Sequence, residues 1–140
     1  MVTTAGQPRL IHPLHAVLLA GALPLFLGGL FSDWAYVNTF EVQWNNFAAW
    51  LIAGAMVFTG VALLWSLVDL LRGTARRGWG LSCFLLLLAM FVLGLVNSFV
   101  HARDAFGSQP QGLVLSVIVT ALTVAAIWIG FSSLRPRARP

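Results

Sequence analysis

The stretch FAAWLIAGAMVFTGVALLWSLVDLL, residues 47–71, carries a single charged side chain, Asp69, close to its end. A membrane-spanning helix needs about 20 mostly apolar residues, so this segment is long enough to cross a bilayer. It is also apolar all round, which a helix on the surface of a soluble domain is not. Working outward, comparable stretches lie at roughly 14–32, 79–100 and 112–134, each bounded by a polar or turn-rich connector. The expected fold class is therefore all-α, an integral membrane antiparallel four-helix bundle. Residues 1–140 form one membrane domain that closes with a basic tail at 135–140.

Composition supports this reading. Of 140 residues 59% are hydrophobic and 9% charged, and the mean hydropathy is +0.89, values that exclude a water-soluble globule. Four spans with short loops use up the length and leave no soluble catalytic domain. Cys83 is the sole cysteine, which excludes a disulfide framework, cysteine-based zinc spacing and a haem-attachment motif. The first apolar stretch carries His15, Pro24 and Gly28-Gly29 and lacks a small-x-small cleavage site, so it is expected to be a retained helix. Pro13 suits its first turn, where a missing N–H costs nothing.

The charged side chains set an expected orientation. With four spans the amino terminus, the 72–78 loop and the carboxyl terminus share one face, which holds Arg9, Arg72, Arg76, Arg77, Arg135, Arg137 and Arg139 against Arg103 alone on the other. Arginine in short loops is retained on the cytoplasmic side, so both termini are expected to be cytoplasmic, in a bacterial inner membrane. The net charge of +4 thus reflects topology and anionic lipid, not nucleic acid. Trp34, Tyr36, Trp44 and Trp50 read as an outer aromatic belt, with Trp79 and Trp128 on the inner side. Ala49 and Ala53, Gly94 and Ser98, and Ala126 and Gly130 are small-x-x-x-small pairs expected at helix contacts. Pro24 among Gly21, Gly28 and Gly29 is expected to kink the first helix or thin it for packing.

Ionisable groups inside a span cost about 2.5–3.5 kcal/mol at mid-helix on the insertion scale, so each needs a reason. His12 and His15 are three apart at the inner surface, where the second helix ends with Asp69. If those helices are neighbours, the three form a candidate site. Two imidazoles and a carboxylate can hold a quinone or lipid head, relay protons or bind a divalent metal, or they can serve only to cap the helix and to pair Asp69 with Arg72 or His15. At the outer face Asp33, Asn45, Asn46, Asn97 and His101 form a second polar cluster, read first as hydrogen bonding between helix ends and second as a docking surface for an extracytoplasmic partner. Asn97 and His101, four apart, share a helix face. Haem b needs two axial ligands across a bundle. The inner histidines and His101 are separated by roughly the 30 Å hydrocarbon thickness, so one haem cannot bridge them, and no metal site is assigned.

These residues resemble a bacterial family of four-helix membrane domains known only as a domain of unknown function. The resemblance rests on His12-Pro13-x-His15, on Asp33 in Ser32-Asp33-x-x-Tyr36, on the Trp50 segment, on Val68-Asp69-Leu70 and on Asn97. It covers almost the whole chain and is strongest over 11–72. Members usually carry a further histidine at the start of the third helix, where this chain has Arg76-Arg77-Gly78-Trp79, which removes one ligand for a metal or haem. Similar domains are fused to Rieske or cytochrome c modules or stand beside sorbosone dehydrogenase-like quinoproteins. The resemblance therefore implies electron transfer between a periplasmic donor and membrane quinone.

The expected function is a non-catalytic integral membrane subunit. It would anchor or support a larger membrane or periplasmic redox protein and shape a quinone or lipid-head site at His12, His15 and Asp69. The alternatives are a small metal- or haem-binding redox protein and a proton or small-solute transporter, for which helices three and four lack any charged residue at mid-span.

Overall fold

The computed structural model describes residues 13–73, 77–103 and 107–132. Four helices follow one another, α1 (Pro13–Thr39), α2 (Val42–Leu71), α3 (Arg77–His101) and α4 (Gln111–Ser132), and each contains a segment long and apolar enough to cross a membrane. Short connections make successive helices antiparallel, and α4 closes the ring against α1. The cyclic order leaves α1 and α3 diagonal to each other, and likewise α2 and α4. The expected four-helix bundle is the fold found.

The helices outrun the apolar stretches read from sequence, most of all at one end. The first continues seven residues past position 32, and the second starts five before position 47. The 33–46 connector thus shrinks to Phe40 and Glu41. Phe40 takes φ 55 there, a left-handed conformation uncommon for a bulky residue, and its N–H closes onto Tyr36 O at 2.8 Å. At the opposite end Gly73 adopts φ 67 after α2, the usual way for glycine to stop a helix. Pro13 opens α1 as the sequence requires, and α1 runs on through Pro24.

Each helix buries a stripe spaced alternately three and four residues apart. On α1 it runs Leu19, Ala22, Phe26, Gly29, Asp33 and Tyr36, and on α2 Asn45, Ala48, Ile52, Ala55, Thr59 and Ala62. The same spacing recurs at Met90, Gly94, Asn97 and His101 on α3, and at Gly112, Ser116, Val119, Thr123, Ala126 and Gly130 on α4. This is the seam of a left-handed bundle. Small and hydroxyl side chains dominate it, while large apolar ones such as Trp50, Val57, Leu64, Phe99 and Trp128 face outward. Lipid solvates apolar surface as well as a core does, so the inward face is marked by smallness and polarity instead of hydrophobicity.

Close approach requires the glycines of α1. A Cβ on Gly21 would lie 2.7 Å from the Phe58 ring, one on Gly28 3.1 Å from Leu51 and one on Gly29 3.1 Å from Ile52. These glycines thin α1 against α2, as the sequence suggested. Of the three small-residue pairs, Ala126 and Gly130 are both buried and Gly94 is buried beside a half-buried Ser98. Ala53 is exposed, so the Ala49 pair lies off the seam. Tyr36 needs a similar correction, because only 1% of its surface is accessible and it belongs to the core. Trp34, Trp44 and Trp50 do face outward, as belt residues should. The Trp79 side chain and the 133–140 segment, including the basic tail, lie outside the described residues.

Candidate functional site

Six residues before the end of α1 stands Asp33, with 0% of its surface exposed. It lies inside the helix, not at its end as the sequence suggested, and it faces the bundle axis. Its Oδ1 and His101 Nε2 are hydrogen-bonded at 2.6 Å across the diagonal to α3, and Gln109 Nε2 donates to the same oxygen at 3.2 Å. Ser116 on α4 donates to Oδ2 at 2.5 Å. Ser116 Oγ in turn accepts from Asn97 Nδ2 at 2.9 Å. His101 Nδ1 donates at 2.9 Å to the Asn97 carbonyl one turn below it. The bonds close a ring, Asp33 to His101 to Asn97 to Ser116 and back, tying three helices at one level.

Chemistry fixes the protons of this ring in part. A backbone carbonyl can only accept, so Nδ1 carries hydrogen. Nε2 and Oδ1 share one further proton between them. Both ring nitrogens are therefore occupied by protein acceptors, and neither offers a lone pair to a metal or haem iron. A buried ionisable pair persists only when its remaining bonding capacity is met, and here Ser116 and Gln109 meet that of the carboxylate. Asn97 Oδ1 is the one buried atom of the ring with no partner among the described residues.

Below the ring, toward the end that carries Pro13 and Leu71, the core becomes apolar with Phe26, Ile52, Leu87, Met90 and Val119. The hydroxyls at that depth turn back on their own helices, Thr59 to Ala55 O and Thr123 to Val119 O. Such bonds satisfy a hydroxyl within its own helix, and the Thr123 hydroxyl also lies 3.1 Å from Met90 Sδ on α3. Thr120 reaches Phe26 O at 3.4 Å.

Of the five residues expected in the outer cluster, Asp33, Asn97 and His101 join the ring. Asn45 is also buried, and its Oδ1 accepts the Ser108 hydroxyl at 2.8 Å, which fastens α2 to the connection before α4. Asn46 faces outward and is exposed. Ser116, Gln109 and Ser108 were not singled out from the sequence. Ser116, Thr120 and Thr123 recur at helical spacing within an apolar span, a pattern that could have marked the inward stripe of α4. No comparable pattern surrounds Ser108 and Gln109.

At the opposite end the arrangement is looser. His12 lies outside the described residues, while His15 and Asp69 are half-buried on neighbouring helices. Gly21 meets Phe58, Leu25 meets Gly54 and Gly28 meets Leu51, a register that sets His15 level with about residue 64. Asp69 then stands about 7 Å nearer the end of the pair. No group of three His, Cys, Asp or Glu able to hold a metal forms among the described residues.

The model of the family described as "Predicted membrane protein (DUF2231)" matches residues 11–133, and the chain belongs to that family. The match agrees with the resemblance carried by the His-Pro-x-His, Asp33 and Asp69 segments. No curated protein and no solved structure matches the chain.

Proposed function

We propose that this chain is a non-catalytic membrane subunit that anchors or supports a redox partner at the outer face of a bacterial inner membrane. The observation that carries the reading is the closed ring around Asp33. Its ionisable groups are bound to one another and to neighbouring helices, which suits a scaffold. A catalytic or ligating histidine would keep one ring nitrogen available. The apolar core below the ring also argues against a proton or solute path through the monomer.

The orientation belongs to the same reading. Seven arginines near the termini and the 72–78 loop, against Arg103 alone opposite, support cytoplasmic termini. The ring and the 40–41 turn then face outward, toward a periplasmic donor of the kind the family resemblance implies. In that orientation His15 and Asp69 stand toward the inner face, where an imidazole and a carboxylate suit a quinone or lipid head.

Purification in mild detergent from native expression tests the proposal, with mass spectrometry of co-eluting proteins and small molecules and one visible spectrum. A redox enzyme or quinone in the eluate is expected. A colourless bundle that elutes without either overturns it.

A further inference from the structure

We infer that the end of α3 and the flank of α2 form a binding site for a phosphate oxyanion at headgroup depth. This inference does not rest on the redox reading above. His101, the last residue of α3, is level with Asp33, whereas α1 continues six residues further to Thr39. The α1–α2 hairpin therefore rises about 9 Å above the end of α3, and the step leaves a depression of about 560 Å³. His101 and Arg103 line its floor, and Gln43, Asn45 and Asn46 line its wall.

Hydrogen-bond donors converge on this depression. The Arg103 guanidinium is exposed and makes no ion pair among the described residues. Asn45 is 94% buried, and Ser108 occupies its Oδ1. Its Nδ2 has no acceptor among the described residues and is left to the depression. The amides of Gln43 and Asn46 add further donors, and no carboxylate lines the depression among the described residues. One cation, several N–H donors and no acid make up the chemistry that recognises phosphate.

Depth indicates where the phosphate comes from. Trp44, Phe47, Trp50 and Phe99 are exposed on the helices that border the depression, and tryptophan concentrates at the headgroup level. A phospholipid lying against these rings would bring its phosphodiester to Arg103 and Asn45. Inorganic phosphate is the other source of the same chemistry.

The test uses the full chain in nanodiscs of equimolar phosphatidylglycerol and digalactosyldiacylglycerol, a bilayer lipid without phosphate, extracted and read by native mass spectrometry for retained lipid. Phosphatidylglycerol is expected to be retained preferentially. Removing one cation near the surface should lower that preference about fivefold in Arg103→Gln, and Asn46→Leu, on the exposed wall, should lower it further. A parallel titration with inorganic phosphate, followed by phosphorus NMR, distinguishes the sources. Displacement of lipid by millimolar phosphate assigns a site for the free ion, and no displacement assigns one for the lipid. Helicity and thermal midpoint serve as controls, since both substituted side chains are exposed. Equal retention of the two lipids, or a preference unchanged in Arg103→Gln, overturns the inference.

Discussion

Asp33 and His101 are 68 residues apart in the chain and 2.6 Å apart in the bundle, on helices that face each other diagonally. Adjacent helices of a bundle touch along their length, but diagonal ones meet only where side chains cross the axis. This pair, with Ser116 and Asn97 closing the ring, therefore sets the depth at which α1, α3 and α4 align. Interhelical hydrogen bonds in membranes average about 0.6 kcal/mol each, so the ring's main contribution is a fixed register.

Breaking the pair leaves an uncompensated buried charge, the costly outcome for a buried ion pair. Asp33→Ala and His101→Ala are each expected to destabilise the bundle by about 3–5 kcal/mol in detergent. The double variant should cost clearly less than the two together, because contacting residues couple by about 0.5–3 kcal/mol. Denaturation by SDS, followed by circular dichroism, measures all three. Strictly additive losses would show that the pair is not an energetic unit.

Gly112 makes room for the imidazole. A Cβ there would lie 2.9 Å from His101 Cε1 and 3.2 Å from its Nε2. Gly112→Ala is expected to displace His101 and cost about 1–3 kcal/mol. In a His101→Ala background the same change should be nearly silent, which the same SDS titration checks.

Gly94 faces Met56 so closely that an added Cβ would overlap Sδ. Gly94→Ala should destabilise the α2–α3 contact by about 1–3 kcal/mol. A shorter side chain in the second-site variant Met56→Val should restore most of the loss. Failure of that rescue in a thermal shift assay would mean that the strain lies elsewhere.

Asn45 and Asn46 are neighbours in sequence with different roles. Asn45→Leu removes the buried hydrogen bond to Ser108 and is expected to cost about 0.5–1.5 kcal/mol. Asn46→Leu, on the exposed side, should change stability by less than about 0.5 kcal/mol. Equal midpoints for the two variants would contradict the placement of Asn45.

Orientation is checked by labelling. In a Cys83→Ser background, Glu41→Cys at the 40–41 turn should react with an impermeant maleimide added outside intact spheroplasts. Gly73→Cys should react only after lysis. The reverse pattern would invert the topology inferred from arginine placement.

Hydropathy alone dictated four spans and hence the bundle, because a bilayer requires about 20 apolar residues per crossing and backbone bonds satisfied within each helix. Sequence also marked Asp33, Asn97 and His101, since polar groups stand out against an apolar span. It did not reveal the inward face, because large apolar residues are equally at ease in lipid and the helices carry no apolar stripe to read. For that reason Tyr36 read as a belt residue and Ala53 as a contact, and Asn46 was grouped with Asn45. The extent of α1 and α2 was hidden as well, because helices continue past the point where hydropathy falls. The partners of Asp33 come from α3, from α4 and from the connection between them. Only the packing of the four helices, set by glycine contacts and the alternating seam, decides that these distant residues share one level.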